Sequence, residues 1–327
     1  MKAAVVRTPG GPEVLELCDV PRPVPEPGWV LVRVKAFGLN RGELFTRQGH
    51  SPSVTLPRIL GIECVGIVEE APGGEFARGT KVASVVGGMG RAFDGSYAEF
   101  VSVPVASTYA IATDLDWVPF AAIPESFVTA WGALHDALEI RPGGALLVRG
   151  ASSSVGLTAV MLAKAWGARV LATTRQETRR QALLDAGAHD VVIDGPSIAA
   201  AVRELVPGGV DGVLELVGTN TMRDSLRCAA LRGVVCMCGI LGNAWSIDGF
   251  SPSEAIPTTV RLTSYSSSSA IEGAARGGRL QDFVDGVASG RYRSVVNRVY
   301  PLDQIVDAHR WMEENRAVGK IVVAVDV

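Results

Sequence analysis

The chain has 327 residues, enough for two domains at about 150 residues each, and its 47% hydrophobic and 20% charged residues exclude a disordered or coiled-coil protein. Thirty-one Lys and Arg against 34 Asp and Glu leave a formal charge of −3, too little field to hold a polyanion, so no nucleic-acid partner is expected. The five cysteines, Cys18, Cys64, Cys228, Cys236 and Cys238, are odd in number and lack Cys-x-x-Cys or paired Cys/His spacing, which supports neither a disulfide framework nor a structural zinc site.

In chain order, Met1-Lys2-Ala3-Ala4-Val5-Val6 meets Pro9-Gly10-Gly11-Pro12 before a signal-peptide core can form. No charge-free apolar run reaches the ~18–20 residues of a membrane span, so a cytoplasmic protein without a membrane partner is expected. Residues 1–110 read as short β runs, Ala3–Arg7, Trp29–Ala36, Cys64–Glu70, Lys81–Val86 and Ala98–Val103, separated by Pro/Gly clusters. From about residue 120 apolar strands alternate with Ala-rich helical stretches. The strands are placed at Ala145–Arg149, Arg169–Thr173, Val191–Ile193, Gly212–Val217, Gly233–Cys238 and Arg261–Tyr265, with helices near 154–167, 177–187, 197–206, 220–231 and 273–289. Runs such as Leu146-Leu147-Val148 suit strands covered on both faces, and the alternation describes an α/β, doubly wound, parallel nucleotide-binding sheet. The last segment, Ser294–Val327, returns to β texture around a helix at Asp303–Asn315. The expected division is a discontinuous β-rich domain, 1–118 with 292–327, and a nucleotide-binding domain, 119–291.

The strand ending at Arg149 runs into Gly150-Ala151-Ser152-Ser153-Ser154-Val155-Gly156 and then into a helix. A helix opening there aims free N–H groups and its positive end at the turn, which suits a pyrophosphate; Gly150, Ser152, Ser153, Ser154, Val155 and Gly156 are the candidate contacts. The fingerprint is degenerate, with Ser153 where a middle glycine is expected, and an ordinary tight turn is the plainer alternative. An Asp or Glu at the end of the next strand would hold the ribose hydroxyls of NAD, but that stretch reads Ala172-Thr173-Thr174-Arg175-Gln176. Hydroxyls and a guanidinium favour an additional phosphate, so NADPH is expected, with Arg175 as the main partner and Thr174 and Arg180 beside it. For Arg179 and Arg180 a solvated helix face explains the residues equally well. Later strand ends, Val217-Gly218, Gly239 with Leu241, and Ser264-Tyr265, should border the same crevice, although turn geometry alone also accounts for the glycines.

Taken in order, Gly38-Leu39-Asn40-Arg41, Arg47-Gln48-Gly49, Leu60-Gly61-Ile62-Glu63, Gly95-Ser96-Tyr97-Ala98-Glu99, Thr129-Ala130, the 150–156 turn and Asn315 to Val323 resemble the medium-chain dehydrogenase/reductase superfamily. Within it they resemble the zinc-independent quinone oxidoreductase branch that includes zeta-crystallin-like proteins. The resemblance covers nearly the whole chain and implies a GroES-like first domain, a Rossmann second domain and a homodimer joined through the Rossmann sheet. Where zinc alcohol dehydrogenases carry a Cys and a Gly-His-Glu, this chain has Gly38-Leu39-Asn40 and Gly61-Ile62-Glu63. Ile62 cannot ligate a metal, so no catalytic zinc is expected, and alcohol oxidation loses its Lewis acid. What remains is hydride delivery from NADPH to a quinone or to an α,β-unsaturated carbonyl, with hydrogen-bond donors receiving the developing oxyanion.

The resemblance places Asn40 and Thr129 at the nicotinamide, and Asn315 and Lys320 at the adenine side. Asn40 could donate to substrate or cofactor, or simply cap a loop; Thr129 could equally be core. Phe45 stands where several relatives carry a tyrosine, which removes one acid. His50 and Tyr265 are the candidate proton donors, His50 from a polar Gly49-His50-Ser51-Pro52 loop. Arg47 and Glu63 read as buried partners that fix the cleft. His135, His189 and His309 show no metal spacing, and Cys236 and Cys238 read as small core residues rather than a redox pair. Two other functions stay open: an enoyl-thioester reductase of the same superfamily, and a non-catalytic NADPH-binding protein, the latter motivated by the missing tyrosines.

Overall fold

The computed structural model describes residues 1–267 and 275–325, so the expected helix at 273–289 and the serine run 266–269 lie partly outside the described residues. The chain forms two compact units, Met1–Glu125 with Ser268–Val327, and Ser126–Ser267.

In the first unit β1 (Lys2–Val6) pairs antiparallel with β2 (Leu15–Asp19), then β3 (Trp29–Gly38) enters the main sheet and leads into α1 (Arg41–Arg47). The short β4 (Arg58–Ile59) adds to the other side of β1. β5 (Glu63–Glu70), β6 (Lys81–Val85), β7 (Phe100–Pro104), β8 (Thr108–Ala110) and α2 (Trp117–Ala121) complete the amino-terminal part. Neither β2 nor α1 is marked in the sequence by strong periodicity. α1 forms because Asn40 opens it and the Glu43 carboxylate accepts the Asn40 N–H at 2.8 Å, half of a capping box.

α3 (Pro124–Gly132) carries the chain from one unit to the other. The second unit then runs β9 (Ala145–Arg149), α4 (Ser154–Ala165), β10 (Arg169–Thr174), α5 (Arg180–Ala186), β11 (Asp190–Ile193), α6 (Ala199–Leu205), β12 (Val210–Glu215), α7 (Thr219–Cys228), β13 (Ala229–Met237), α8 (Pro252–Ala255) and β14 (Arg261–Ser264). All six strands are parallel, in the order β11-β10-β9-β12-β13-β14. This is a doubly wound Rossmann sheet whose strand order reverses between β9 and β12, the place where such sheets bind ligands. Helices on both faces explain the unbroken apolar strands: Leu146, Leu147, Val148, Val170, Leu171 and Ala172 are all fully buried.

One boundary differs from the sequence reading. The helical composition of Ala229 to Leu231 suggests that α7 continues to 231, but Ala229 already pairs with Val210, and Arg232 takes a left-handed φ of 66° before the regular β13 register resumes at Val234. Sheet pairing overrides the local propensity there.

Back in the first unit come α9 (Ala275–Ala288), β15 (Val296–Pro301), α10 (Ile305–Glu313) and β16 (Lys320–Ala324). The stretch of α9, assigned to the nucleotide-binding domain from sequence, falls in the first unit. The main sheet has the order β15-β16-β3-β5-β6-β8, with β7 also on β3, so the carboxyl-terminal strand lies directly beside β3. Every residue of β16 is buried, against a core that includes Val30, Val32, Val34, Phe37, Val65 and Tyr97. This unit is the expected GroES-like β domain. No helix among the described residues is long and apolar enough to cross a membrane.

Candidate functional site

The turn between β9 and α4 is built from its own side chains. Gly150 has φ +84°, a left-handed conformation natural to glycine, and a Cβ at Gly156 would lie 2.6 Å from Ala151 Cα, so only glycine lets helix and strand approach this closely. Ser153, the apparent defect in the glycine pattern, is the helix N-cap: its Oγ accepts the Gly156 N–H at 3.1 Å and donates to the Gly150 carbonyl at 3.0 Å. The open first turn therefore presents backbone N–H groups of Ser154 and Val155 at the positive end of a twelve-residue helix.

Beyond the end of β10, Arg175 is exposed and Arg179 comes back towards the turn, its Nη1 3.4 Å from Ser152 Oγ. Partial burial and the neighbouring Arg175 charge lower the Arg179 pKa. Two guanidinium groups thus share this corner, and among the described residues Arg175 forms no ion pair. Arg180 is differently engaged. It forms an ion pair with Glu177 and donates to the Val191 carbonyl at 2.7 Å, so its guanidinium is turned onto β11, and of the two neighbours it is Arg179 that approaches Ser152. Sequence reading left both arginines open because they are consecutive and nothing local marks which of the two faces the turn. The Thr174 hydroxyl is buried and accepts the Gln176 N–H at 3.2 Å, shaping this loop.

Next to the turn, the ends of β12 and β13 converge. A Cβ on Gly150 would contact Leu241, Leu216 and Val217, and one on Gly239 would lie 2.5 Å from the Leu216 carbonyl oxygen. Glu215 Oε1 accepts the N–H groups of Val217 at 2.7 Å and Gly218 at 2.9 Å, which fixes the β12 exit. Burial raises the Glu215 pKa. Ser264 ends β14, opposite Met237 and exposed, at the edge of the sheet. Tyr265, a candidate donor, directs its hydroxyl onto α3: Oη lies 3.5 Å from the Val128 carbonyl and packs on Gly132, where a Cβ would be 1.9 Å away. Thr129, on the same helix, is buried at 7% exposure.

In the first unit Asn40 is held by charge. Its Nδ2 donates to Glu63 Oε1 at 2.9 Å and to Glu43 Oε1 at 3.2 Å, and its Oδ1 accepts from Lys320 Nζ at 2.5 Å. Lys320 also pairs with Glu63 at 2.5 Å, and both side chains are fully buried. Glu63 Oε2 takes the Glu125 N–H at 2.8 Å, and Glu43 Oε1 takes the Ile62 N–H at 3.1 Å. Burial pushes the Glu43 carboxyl up to about 7, with Lys320 and Asn40 opposing. The adenine-side role implied for Lys320 does not suit this placement, because an ammonium without exposed surface and already paired cannot touch a nucleotide; it supports Asn40 instead. Asn315 lies after α10 with φ 56°, accepts from Arg41 and donates to the Glu313 carbonyl at 3.1 Å. His50 is exposed, its N–H on the Phe45 carbonyl at 2.8 Å. Arg47 is wholly buried and paired with Glu313. Among the described residues no group of three His, Cys, Asp or Glu is arranged to hold a metal ion.

Comparison with known proteins agrees with this architecture. Residues 26–113 match the alcohol dehydrogenase GroES-like domain, and residues 186–323 match the zinc-binding dehydrogenase family. The quinone oxidoreductase of Rattus norvegicus is 31% identical, over 99% of this chain and 97% of its own. Two solved structures are similar over their full length: an NAD-dependent alcohol dehydrogenase at TM-score 0.87 and 32% identity, covering 100% of both chains, and a mycobacterial protein complexed with NADPH at TM-score 0.89 and 28% identity, covering 99% of this chain and 100% of the other. A GroES-like unit, a six-stranded Rossmann sheet and full-length similarity to a quinone oxidoreductase lead to one assignment: the chain belongs to the medium-chain dehydrogenase/reductase superfamily, in its zeta-crystallin-like quinone oxidoreductase branch.

Proposed function

We propose that the protein is an NADPH-dependent, metal-free reductase that transfers hydride to quinones or α,β-unsaturated carbonyls. The observation that carries the reading is the corner formed by Arg175 and Arg179 beside Ser152, two guanidinium groups where an NAD-selective site would carry a carboxylate. The fit of the dinucleotide rests on the same unit: Ser154 and Val155 would face the pyrophosphate, Gly150 and Gly156 let the turn close against Leu216 and Ala151, and Val217, Gly218, Gly239 and Leu241 would border it. When bound, the reduced nicotinamide supplies the hydride.

The residues that would hold a catalytic zinc do not fit one. Gly38-Leu39-Asn40 offers no thiolate, Ile62 no imidazole, and Glu63 is engaged by Lys320 and Asn40. An acceptor that is already electron-poor needs no Lewis acid, only a donor for its developing negative charge. Asn40 is the proposed donor in the first unit; its two amide hydrogens meet Glu63 and Glu43, and it would give up the longer bond, to Glu43, to reach the oxyanion. His50 is a second proton source on an exposed loop, and Tyr265 a positioning group whose hydroxyl rests on α3. A soluble homodimer is part of this reading.

Nicotinamide absorbance followed across a panel of quinones and enones tests the activity. Substrate-dependent oxidation of NADPH without added or bound zinc is expected; NADPH binding with no turnover on any acceptor would instead favour a binding protein. Arg175→Ala and Arg179→Ala should each weaken NADPH binding about tenfold, as for loss of a charge-assisted hydrogen bond, and leave NADH binding unchanged. Equal loss for both dinucleotides would remove the phosphate assignment.

A further inference from the structure

Arg149 is out of place by its sequence position. It ends β9, a strand otherwise buried among Leu and Val, and its side chain is fully buried. Burying a guanidinium carries a desolvation penalty that only well-placed partners offset, so the partners are informative. Nε donates to Asp194 at 3.2 Å; Nη2 donates to Asp194 at 2.8 Å and to the Gly195 carbonyl at 3.3 Å. Nη1 donates to Asp224 at 2.8 Å, Ser225 at 3.1 Å and the Thr221 carbonyl at 3.3 Å.

These bonds continue into the phosphate turn. Thr173 Oγ1 donates to Asp194 Oδ2 at 3.1 Å and accepts the N–H of Gly150 at 3.1 Å. The Gly150 carbonyl in turn accepts from Ser153 N at 3.2 Å and Ser153 Oγ at 3.0 Å. Both peptide planes flanking the Gly150 Cα are therefore pinned, one through Thr173 and Asp194 to Arg149, the other through the helix N-cap. A second branch runs from Nη1 through Ser225 to Glu215 Oε2, whose other oxygen fixes Val217 and Gly218. Glycine at a left-handed φ has no side chain to choose its conformation, and the polar chain from Arg149 supplies that choice.

We infer that Arg149 is a positioning residue for the dinucleotide turn, acting through Asp194 and Thr173 on the Gly150 N–H. The role rests on the proposed nucleotide-binding reading. It predicts that the hub sets cofactor affinity rather than the chemical step, and that it works by the fork geometry of arginine rather than by charge alone.

Thr173→Val keeps shape and charge but leaves Asp194 and the Gly150 N–H without their shared partner. In the full-length protein it should raise the NADPH Kd, read by nicotinamide fluorescence, and the KM roughly tenfold, with kcat at saturation within about twofold of the parent. Thr173→Ser, which restores the hydroxyl, should return both to within about twofold of the parent. Arg149→Lys should show the same loss of affinity without loss of kcat. If Arg149→Lys does not fold, the threonine pair still decides the matter. Unchanged affinity in Thr173→Val, or a fall in kcat at constant KM, overturns the inference, as does failure of Thr173→Ser to rescue. A merely structural role would lower the melting temperature without this KM-against-kcat split. If the parent protein binds NADH as tightly as NADPH, the phosphate assignment fails and the same comparison proceeds with NADH; if it binds neither, both readings fail.

Discussion

Each unit buries a cluster of charged side chains, and the two differ in which cation serves the carboxylates. In the second unit the Arg149 fork divides its donors between Asp194 and Asp224, and Asp224, further held by Ser197 and the Ile198 N–H, keeps a lowered pKa. In the first unit a single ammonium, Lys320, bonds Glu63 and Asn40 and acts on Glu43 only at longer range, so burial prevails and Glu43 rises to about 7. A fork can satisfy two acids directly, leaving only Glu215, reached through Ser225, raised by burial, whereas a point charge satisfies one acid well and leaves its immediate neighbour desolvated.

The strongest way to break this comparison is Lys320→Met. It strands Glu63 and Glu43 without their cation and should cost about 3–5 kcal/mol of unfolding free energy at neutral pH, measured by denaturant titration. A loss under about 1 kcal/mol would mean that Glu63 does not depend on Lys320.

Gly38→Ala sharpens the same point from the backbone side. A Cβ there would lie 2.1 Å from Lys320 Cε and 2.7 Å from Glu63 Oε1, so the lysine stem would have to shift and disturb its pair with Glu63. Overpacking of this kind costs about 1–3 kcal/mol, and a neutral variant would show that the stem can move aside.

Smaller again, at each step of pH, are the titrations. His309 is buried with its ring on Tyr97 Oη at 3.1 Å, and burial together with the Arg47 charge lowers its pKa to about 3. The unfolded chain binds the proton near pH 6.5 and the native state does not, so stability is fully present above 6.5 and falls as pH drops towards 3. The slope is about 1.4 kcal/mol per pH unit, and His309→Gln should remove it. Glu43 has the opposite sign: its native form holds the proton up to about 7, so its contribution is present below 4.5 and lost as pH rises towards 7. Glu43→Gln should therefore steepen the net acid dependence between 4.5 and 6.5, where the two otherwise offset. No change in that window would refute the burial account of Glu43.

The sequence made the second unit legible because its information is local. Apolar blocks of five or six residues mark β9, β10 and β12, and Gly150 to Gly156 mark a strand-to-helix turn within a few positions. What stayed hidden depends on partners far along the chain. Nothing near Lys320 announces Glu63, nothing near Arg149 announces Asp224, and an arginine inside an apolar strand invites no reading without its acids. Ser153 looked like a missing glycine because capping is visible only once the Gly156 N–H is placed. The α7 to β13 boundary slipped because Ala-Ala-Leu favours helix until Val210 supplies a strand partner.

The placement of β16 beside β3 also orders events during synthesis. The second unit is one continuous stretch, Ser126–Ser267, and can fold once it has left the ribosome, whereas the first cannot complete its sheet until its last strand arrives. Lys320 lies 280 residues after Asn40, and translation at ~5–20 residues per second separates them by tens of seconds. Through that interval Glu63 has no cation and the flank of β3 that β16 will cover stays open. A nascent chain halted short of Lys320 would therefore expose an unpaired β edge to chaperones or to other chains, while its nucleotide-binding half is already complete.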